Sequence, residues 1–244
     1  MTGDPTPSKP DAYWDRAGEQ GYAQAMYADS DVASHLRGRA WQTAIEIADA
    51  IGVPTDGQVL DIGCGDGAFA NQVLAGRYRS VDGIDKSDAA IQRARAEAQN
   101  RATYRAADLV TFDYNSLPRY DAAFLMGILH HVKAGTPAIV RSIAQCTGKM
   151  IVLEPNGNHV LRKALEYTPS YRAAGEDSFS RKELTAIFTA AGWRVEIQRR
   201  MNLFPNFTPR LVYRLMAPLE PWIEASNVLN ALCTVDMYGL TLGR

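Results

Sequence analysis

No stretch of this chain is apolar for long enough to cross a bilayer, and the opening MTGDPTPSKPDAY has none of the hydrophobic core of a secretory leader. Both absences argue against export and predict a soluble, cytoplasmic protein. Basic runs are missing too. Lys and Arg total 26 against 27 Asp and Glu, for a formal net charge of −1, whereas nucleic acid binding needs a cationic footprint. No nucleic acid partner is expected. Cysteine is scarce: Cys64, Cys146 and Cys233 are odd in number and lack metal-ligand spacing, which excludes a disulfide framework and suits a reducing compartment. Internal repeats and low-complexity tracts are also absent. What remains is a globular composition, 46% hydrophobic and 22% charged over 244 residues, enough for one α/β domain with additions.

Residues 1–12, with three prolines, read as an N-terminal arm, and 13–30 as an aromatic segment (Tyr13, Trp14, Tyr22, Tyr27) broken by Gly18 and Gly21. From Asp31 to Ile51 the apolar spacing of Val32, Leu36, Trp41, Ile45 and Ala48 is helical, with Ser30 or Asp31 as cap and Gly52 and Pro54 as the stop. Then strands and helices alternate. QVLDI, SVDGI, ATYRA, DAAFLM and KMIVLE read as strands, with helices over 68–75, 88–99 and 134–146 between them. Such alternation implies right-handed crossovers and a mostly parallel sheet. Helix 181–191, capped by Ser180, leads to strand WRVEIQ, and LCTVDMYGLTLG reads as a final edge strand.

Chemistry concentrates in VLDIGCGDGAFA, residues 59–70. An apolar strand runs into Asp61, then Gly63, Gly65 and Gly67 at alternate positions, then a helix. Glycines suit a turn whose backbone angles a Cβ opposes and whose main chain a ligand must approach closely. Gly63, Gly65 and Ala68 also satisfy the dinucleotide fingerprint. Asp61 separates the two readings. Beside a pyrophosphate its carboxylate would meet like charge, but beside the amino group and sulfonium of S-adenosylmethionine (AdoMet) it is favourable.

DIGCGDG matches the first motif of the class I AdoMet-dependent methyltransferases, and the resemblance covers roughly residues 55–200. It implies a Rossmann-like α/β fold: a seven-stranded, mostly parallel sheet with one antiparallel strand and helices on both faces. An N-terminal helical lid (13–54) would precede an AdoMet-binding core (55–155), and segments 156–180 and 199–231 would cap the substrate, all within one domain over 13–244. The implied cofactor site comprises Asp61, Gly63, Cys64 and Gly65 of the turn, with Asp85 and Lys86 after the second strand. Asp85 would accept the ribose hydroxyls, whereas Asp82 reads as a surface residue within the strand. Asp108 and Leu109 match the adenine-binding position, Asp108 also reading as a cap, and Met126 and Gly127 match residues lining the methionine or pack as core.

Ligands of open α/β sheets bind beyond the carboxyl ends of the strands, which puts His130 and His131 where a methyl acceptor arrives. Adjacent residues do not share a helix face, so one of the pair is expected to point inward, as a general base for a hydroxyl acceptor. The other reading makes the pair structural. Glu154 with Asn156 is too sparse for a magnesium site, so no metal is expected; Glu154 reads as an acceptor ligand or a loop cap. EPNGNHVLRK and SYRAAGEDSFSRKEL resemble a bacterial branch of small-molecule methyltransferases, implying acceptor contacts from Arg162, Lys163, Tyr167, Tyr171 and Arg172.

In 199–231, Arg199, Arg200, Arg210 and Arg214 mingle with Phe204, Phe207, Tyr213 and Trp222, and Leu211, Leu215 and Leu219 share a helical face. That stripe is expected to pack on the domain; a lipid-facing surface and a dimer contact stay open, as does the oligomeric state. The expected activity is metal-independent O-methylation of a small molecule with apolar surface. The alternatives are C-methylation of an aromatic or polyketide-like ring, a silent scaffold, or a dinucleotide oxidoreductase.

Overall fold

A computed structural model describes residues 31–98, 101–159, 163, 178–205 and 208–243. The arm, the aromatic segment before Asp31, and Arg162, Tyr167, Tyr171, Arg172 and Phe207 lie outside them.

Helix α1 (Asp31–Ala50) closes at Gly52, whose φ is 74°, where the sequence puts its stop. Strand β1 (Gln58–Ile62) enters the glycine turn, and a single wide turn of π-helix, Ala70–Leu74, runs into the short α2 (Ala75–Arg77). Next come β2 (Ser80–Asp85), α3 (Asp88–Ala96), β3 (Ala102–Ala106), β4 (Ala122–Met126), a 3-10 segment Leu129–Gly135, α4 (Thr136–Ile143) and β5 (Lys149–Pro155). Helix α5 (Arg181–Ala190) opens with a reciprocal cap in which Ser180 and Glu183 satisfy each other's backbone amides. Strand β6 (Trp193–Met201), helices α6 (Arg210–Met216) and α7 (Glu220–Ala225), and β7 (Val235–Leu242) complete the order.

The strands form one seven-stranded sheet in the order β3-β2-β1-β4-β5-β7-β6, with β7 antiparallel to both neighbours. Alternate residues of each strand feed opposite cores. Leu60, Ala123, Leu125, Met150, Val152 and Leu240 pack with Ile139, Ile143, Leu184 and Phe188 of α4 and α5. Val59, Val81, Phe124, Ile151 and Met237 pack on the other face, with Ala44 and Ile47 of α1, Leu74, and Ile91 of α3. Both faces are therefore covered, as a parallel sheet requires.

Three expectations fail. LCTVDMYGLTLG does not supply an edge: β7 lies between β5 and β6, and its nearly continuous burial reflects cover on both faces. The edge is β6, whose burial alternates. Strand β6 also runs to Met201, so Arg199 and Arg200 belong to the sheet, Arg199 pairing with Glu46 at 3.2 Å and Arg200 with buried Asp236 at 2.9 Å. Leu211, Leu215 and Leu219 do not pack on the domain. They face outward, for a reason in the charges beneath them described below.

Candidate functional site

The strand order reverses between β1 and β4, and the glycine turn sits beyond that crevice. Gly63, Gly65 and Gly67 adopt φ values of 73°, 54° and 76°, a region that side chains oppose. The amides of Gly63 and Cys64 both donate to the Ile84 carbonyl (2.7 and 3.1 Å), which ties the turn to the end of β2. A Cβ on Gly63 would lie 2.4 Å from Ile128 Cγ1, so the turn abuts the chain leaving β4. Behind it, the buried Asn71 donates to the Ala94 carbonyl at 3.2 Å and accepts from the Tyr104 hydroxyl at 2.6 Å. Asn71 reaches this position from the π-helical turn, where a plain helix over 68–75 was expected.

Two carboxylates converge on the turn. Asp61 is 2% exposed, and its Oδ2 meets no donor among the described residues. Burial, with a smaller push from the negative Asp85, raises its pKa to about 7. A buried carboxylate oxygen without a donor is costly, and a cationic N–H group would relieve it. Asp85 is also buried; its Oδ2 accepts from the Gly65 amide and its Oδ1 from the Ser87 amide, both at 2.9 Å. Burial pushes its pKa upward against those amides. Asp85 thus braces the turn and keeps acceptor lone pairs beside it. The half-buried Asp82 accepts from Thr103 and Tyr120, so it is a sheet residue bonded to β3 rather than a free surface group.

The other turn and strand-end residues are placed less uniformly. Cys64 is buried, and its thiol is raised in pKa by desolvation, then by Asp61 and Asp85. Lys86 is exposed beside Asp85. The exposed Asp108 accepts from the Val110 and Thr111 amides (2.8 and 3.4 Å), so one oxygen caps the turn after β3. Leu109 is buried in the core, while Met126 ends β4 half-buried, next to Gly127.

The histidine pair divides sharply. His130 is buried, its Nδ1 2.8 Å from Glu154 Oε2, and its backbone amide donates to the same oxygen at 3.2 Å. The Leu129 amide donates to Glu154 Oε1 at 2.7 Å. His131 is half-buried and its ring lies against that of His130, tilted by 41° with centroids 3.9 Å apart. Glu154, fully buried at the end of β5, therefore caps the 3-10 segment and orients one imidazole. Sequence reading raised Glu154 as a cap but missed this partner; the available signal was that β4 and β5 are neighbours, which juxtaposes their carboxyl ends. Asn156 turns its amide to the Cys233 carbonyl (2.8 Å), and Lys163 is exposed. Phe204 is buried against Val32 and Leu36, so it anchors the 202–232 segment to α1.

A family model described as a methyltransferase domain matches residues 20–198. No curated protein sequence matches. Among solved structures, the complex of the Haloferax volcanii Trm112 methyltransferase activator with a methyltransferase shares 15% identity, covering 95% of this chain and 98% of that one at a TM-score of 0.65. Magnesium protoporphyrin IX methyltransferase from Synechocystis, with bound S-adenosylhomocysteine, gives 18% identity, 95% and 97% coverage and 0.64. The cyclase SpnF gives 17%, 99% of each chain and 0.65. These likenesses show the shared fold, and the family match spans most of the chain. The protein belongs to the methyltransferase-domain family and is a class I AdoMet-dependent methyltransferase.

Proposed function

We propose that this enzyme methylates a hydroxyl of a small-molecule acceptor without a metal ion, using His130 as general base and Glu154 as its positioning residue. The observation that carries the reading is the buried Glu154–His130 contact. With Nδ1–H donating to the carboxylate, the ring is held in one tautomer and the basic lone pair is on Nε2. The carboxylate also stabilises the imidazolium that forms when the ring takes a proton.

Bound AdoMet supplies a methyl group activated by a sulfonium leaving group. On this reading Asp61 accepts from the cofactor's amino group, in keeping with its unpartnered oxygen, and Asp85 accepts from the ribose hydroxyls. Asp108 and Leu109 flank the adenine, and Met126 and Gly127 the methionine. Open φ at the three glycines lets the main chain approach the ligand. His130 would take the hydroxyl proton at Nε2, leaving the acceptor oxygen as the nucleophile for the methyl group that the cofactor would supply. Glu154 and Asn156 are engaged with His130, backbone amides and backbone carbonyls, which favours a metal-free acceptor side.

The acceptor can be found by labelling fractionated host extract with tritiated-methyl AdoMet and identifying the product. On that acceptor, His130→Ala lowers kcat about a hundredfold or more with AdoMet affinity kept. Glu154→Gln moves the acidic limb of the pH–rate profile to lower pH, which a packing role alone would not do. His131→Ala stays within a few-fold of wild type. Normal turnover by His130→Ala, or turnover lost to chelator and restored by magnesium, overturns the reading.

A further inference from the structure

Helices α6 and α7 are amphipathic in an inverted sense. Leu211, Leu215, Leu219 and Trp222 recur at intervals of four and three residues and are 70%, 71%, 52% and 79% exposed. Val212, Met216, Val228, Leu229 and Leu232, on the same segment, are exposed as well. Tyr213, Glu220 and Glu224, on the complementary positions, turn inward. Glu220 is buried and pairs with Arg39 of α1 at 2.5 Å, and Glu224 pairs with the same guanidinium at 2.9 Å. Backbone amides of Leu203 and Asn202 donate to Glu220 and Glu224, each at 2.8 Å. This orientation is fixed. Rolling the helices to bury the leucines would strip the two carboxylates of Arg39 and of both backbone amides.

Residues 208–232 contain two acids, both held inward, while Arg210 and Arg214 are exposed among the leucines. Beside Val228 and Leu229, the residues Asn227, Asn230 and Ala231 form one wall of an open cleft of about 1020 Å³, whose other lining includes Arg181, Lys182 and Arg200. Asp236 neutralises one of those three cations by sitting between Arg181 and Arg200. The surface is thus apolar with a positive border. An anionic lipid layer complements both properties, since Leu and Trp enter the acyl boundary while Arg meets phosphate. A second copy of this face would bring a second Arg210 and Arg214 to the contact while its own two acids stay turned inward. No described helix is long and apolar enough to span a membrane, so the contact is interfacial.

We propose that the α6–α7 face docks on the surface of an anionic lipid bilayer. This goes beyond the methyl-transfer reading and stands or falls without it, because vesicle binding needs no turnover. The test is flotation of the purified full chain with phosphatidylcholine vesicles and with vesicles enriched in phosphatidylglycerol. The protein floats with the anionic vesicles, and added salt weakens the association. The double variant Leu215→Glu, Trp222→Glu loses binding about tenfold or more while its AdoMet-induced rise in Tm stays that of wild type. Failure of wild type to float with anionic vesicles overturns the proposal, as does flotation of the variant at the wild-type level. So does a dimer, or a protein complex formed without vesicles, that the same substitutions dissolve while lipid binding is absent.

Discussion

In the proposed site, Asp61 would couple cofactor binding to protons. With its pKa near 7, the folded carboxyl holds a proton through a window in which an unfolded Asp has already lost it. The folded state therefore binds more protons there, and the stability this group contributes is present at low pH and lost as pH rises through about 7. A ligand that brings an ammonium group reverses the balance by favouring the carboxylate. AdoMet affinity is expected to rise by up to about tenfold per pH unit below neutrality and to level off above it. Calorimetry at about pH 6, in buffers of different ionisation enthalpy, should report close to one proton released on binding. Asp61→Asn should flatten the profile; a flat profile in wild type would remove Asp61 from the contact. Charge logic alone singles out Asp61 in the sequence, and its burial beside the glycine turn is what the fold adds. Which imidazole is buried and bonded is not legible, because Glu154, 24 residues away on β5, holds His130.

At the scale of elements, the turn after β1 combines two constraints that substitution can separate. Gly67 and Gly127 share a φ of 76°. A Cβ on Gly67 would lie 2.8 Å from Ala94 Cβ and 3.0 Å from the Tyr104 hydroxyl, whereas on Gly127 the nearest atom is 3.8 Å away. Gly127→Ala should therefore cost only the backbone term, about 1–2 kcal/mol. Gly67→Ala adds overpacking between the turn and α3, for about 2–4 kcal/mol in all. Denaturant midpoints of the two variants measure the difference, and equal losses would mean that α3 yields freely. The strands were legible because their apolar runs are bounded by turn residues, and the cap of α5 because Ser180 and Glu183 stand three apart. The π-helical turn at Ala70–Leu74 carries no such local mark. It is set by what Asn71 must reach, and those partners lie on α3 and β3.

Across the whole molecule, periodicity told which residues share a face but not which way the face points. The Leu211–Leu219 stripe reads as a packing surface until Arg39, on a helix far away in sequence, takes both nearby acids inward. The alternation of strands and helices likewise predicts a sheet but not that its last strand lies inside it. That placement has a consequence in time. Each of β1 to β5 has a ladder partner among the strands made before β6, whereas β6 pairs with β7 alone. Until β7 is made, β5 is an open edge and β6 has nowhere to dock. The pairing of Lys149 with Thr241 must then close a long loop, which is slow. Pulse-labelled hydrogen exchange during refolding should show β6 and β7 amides gaining protection in one late phase, after those of β1, β2 and β4. Protection of β6 ahead of β7 would sink this order of events. The half-made protein, on this view, spends its most exposed moments with β5, the strand that carries Glu154, bare along one side.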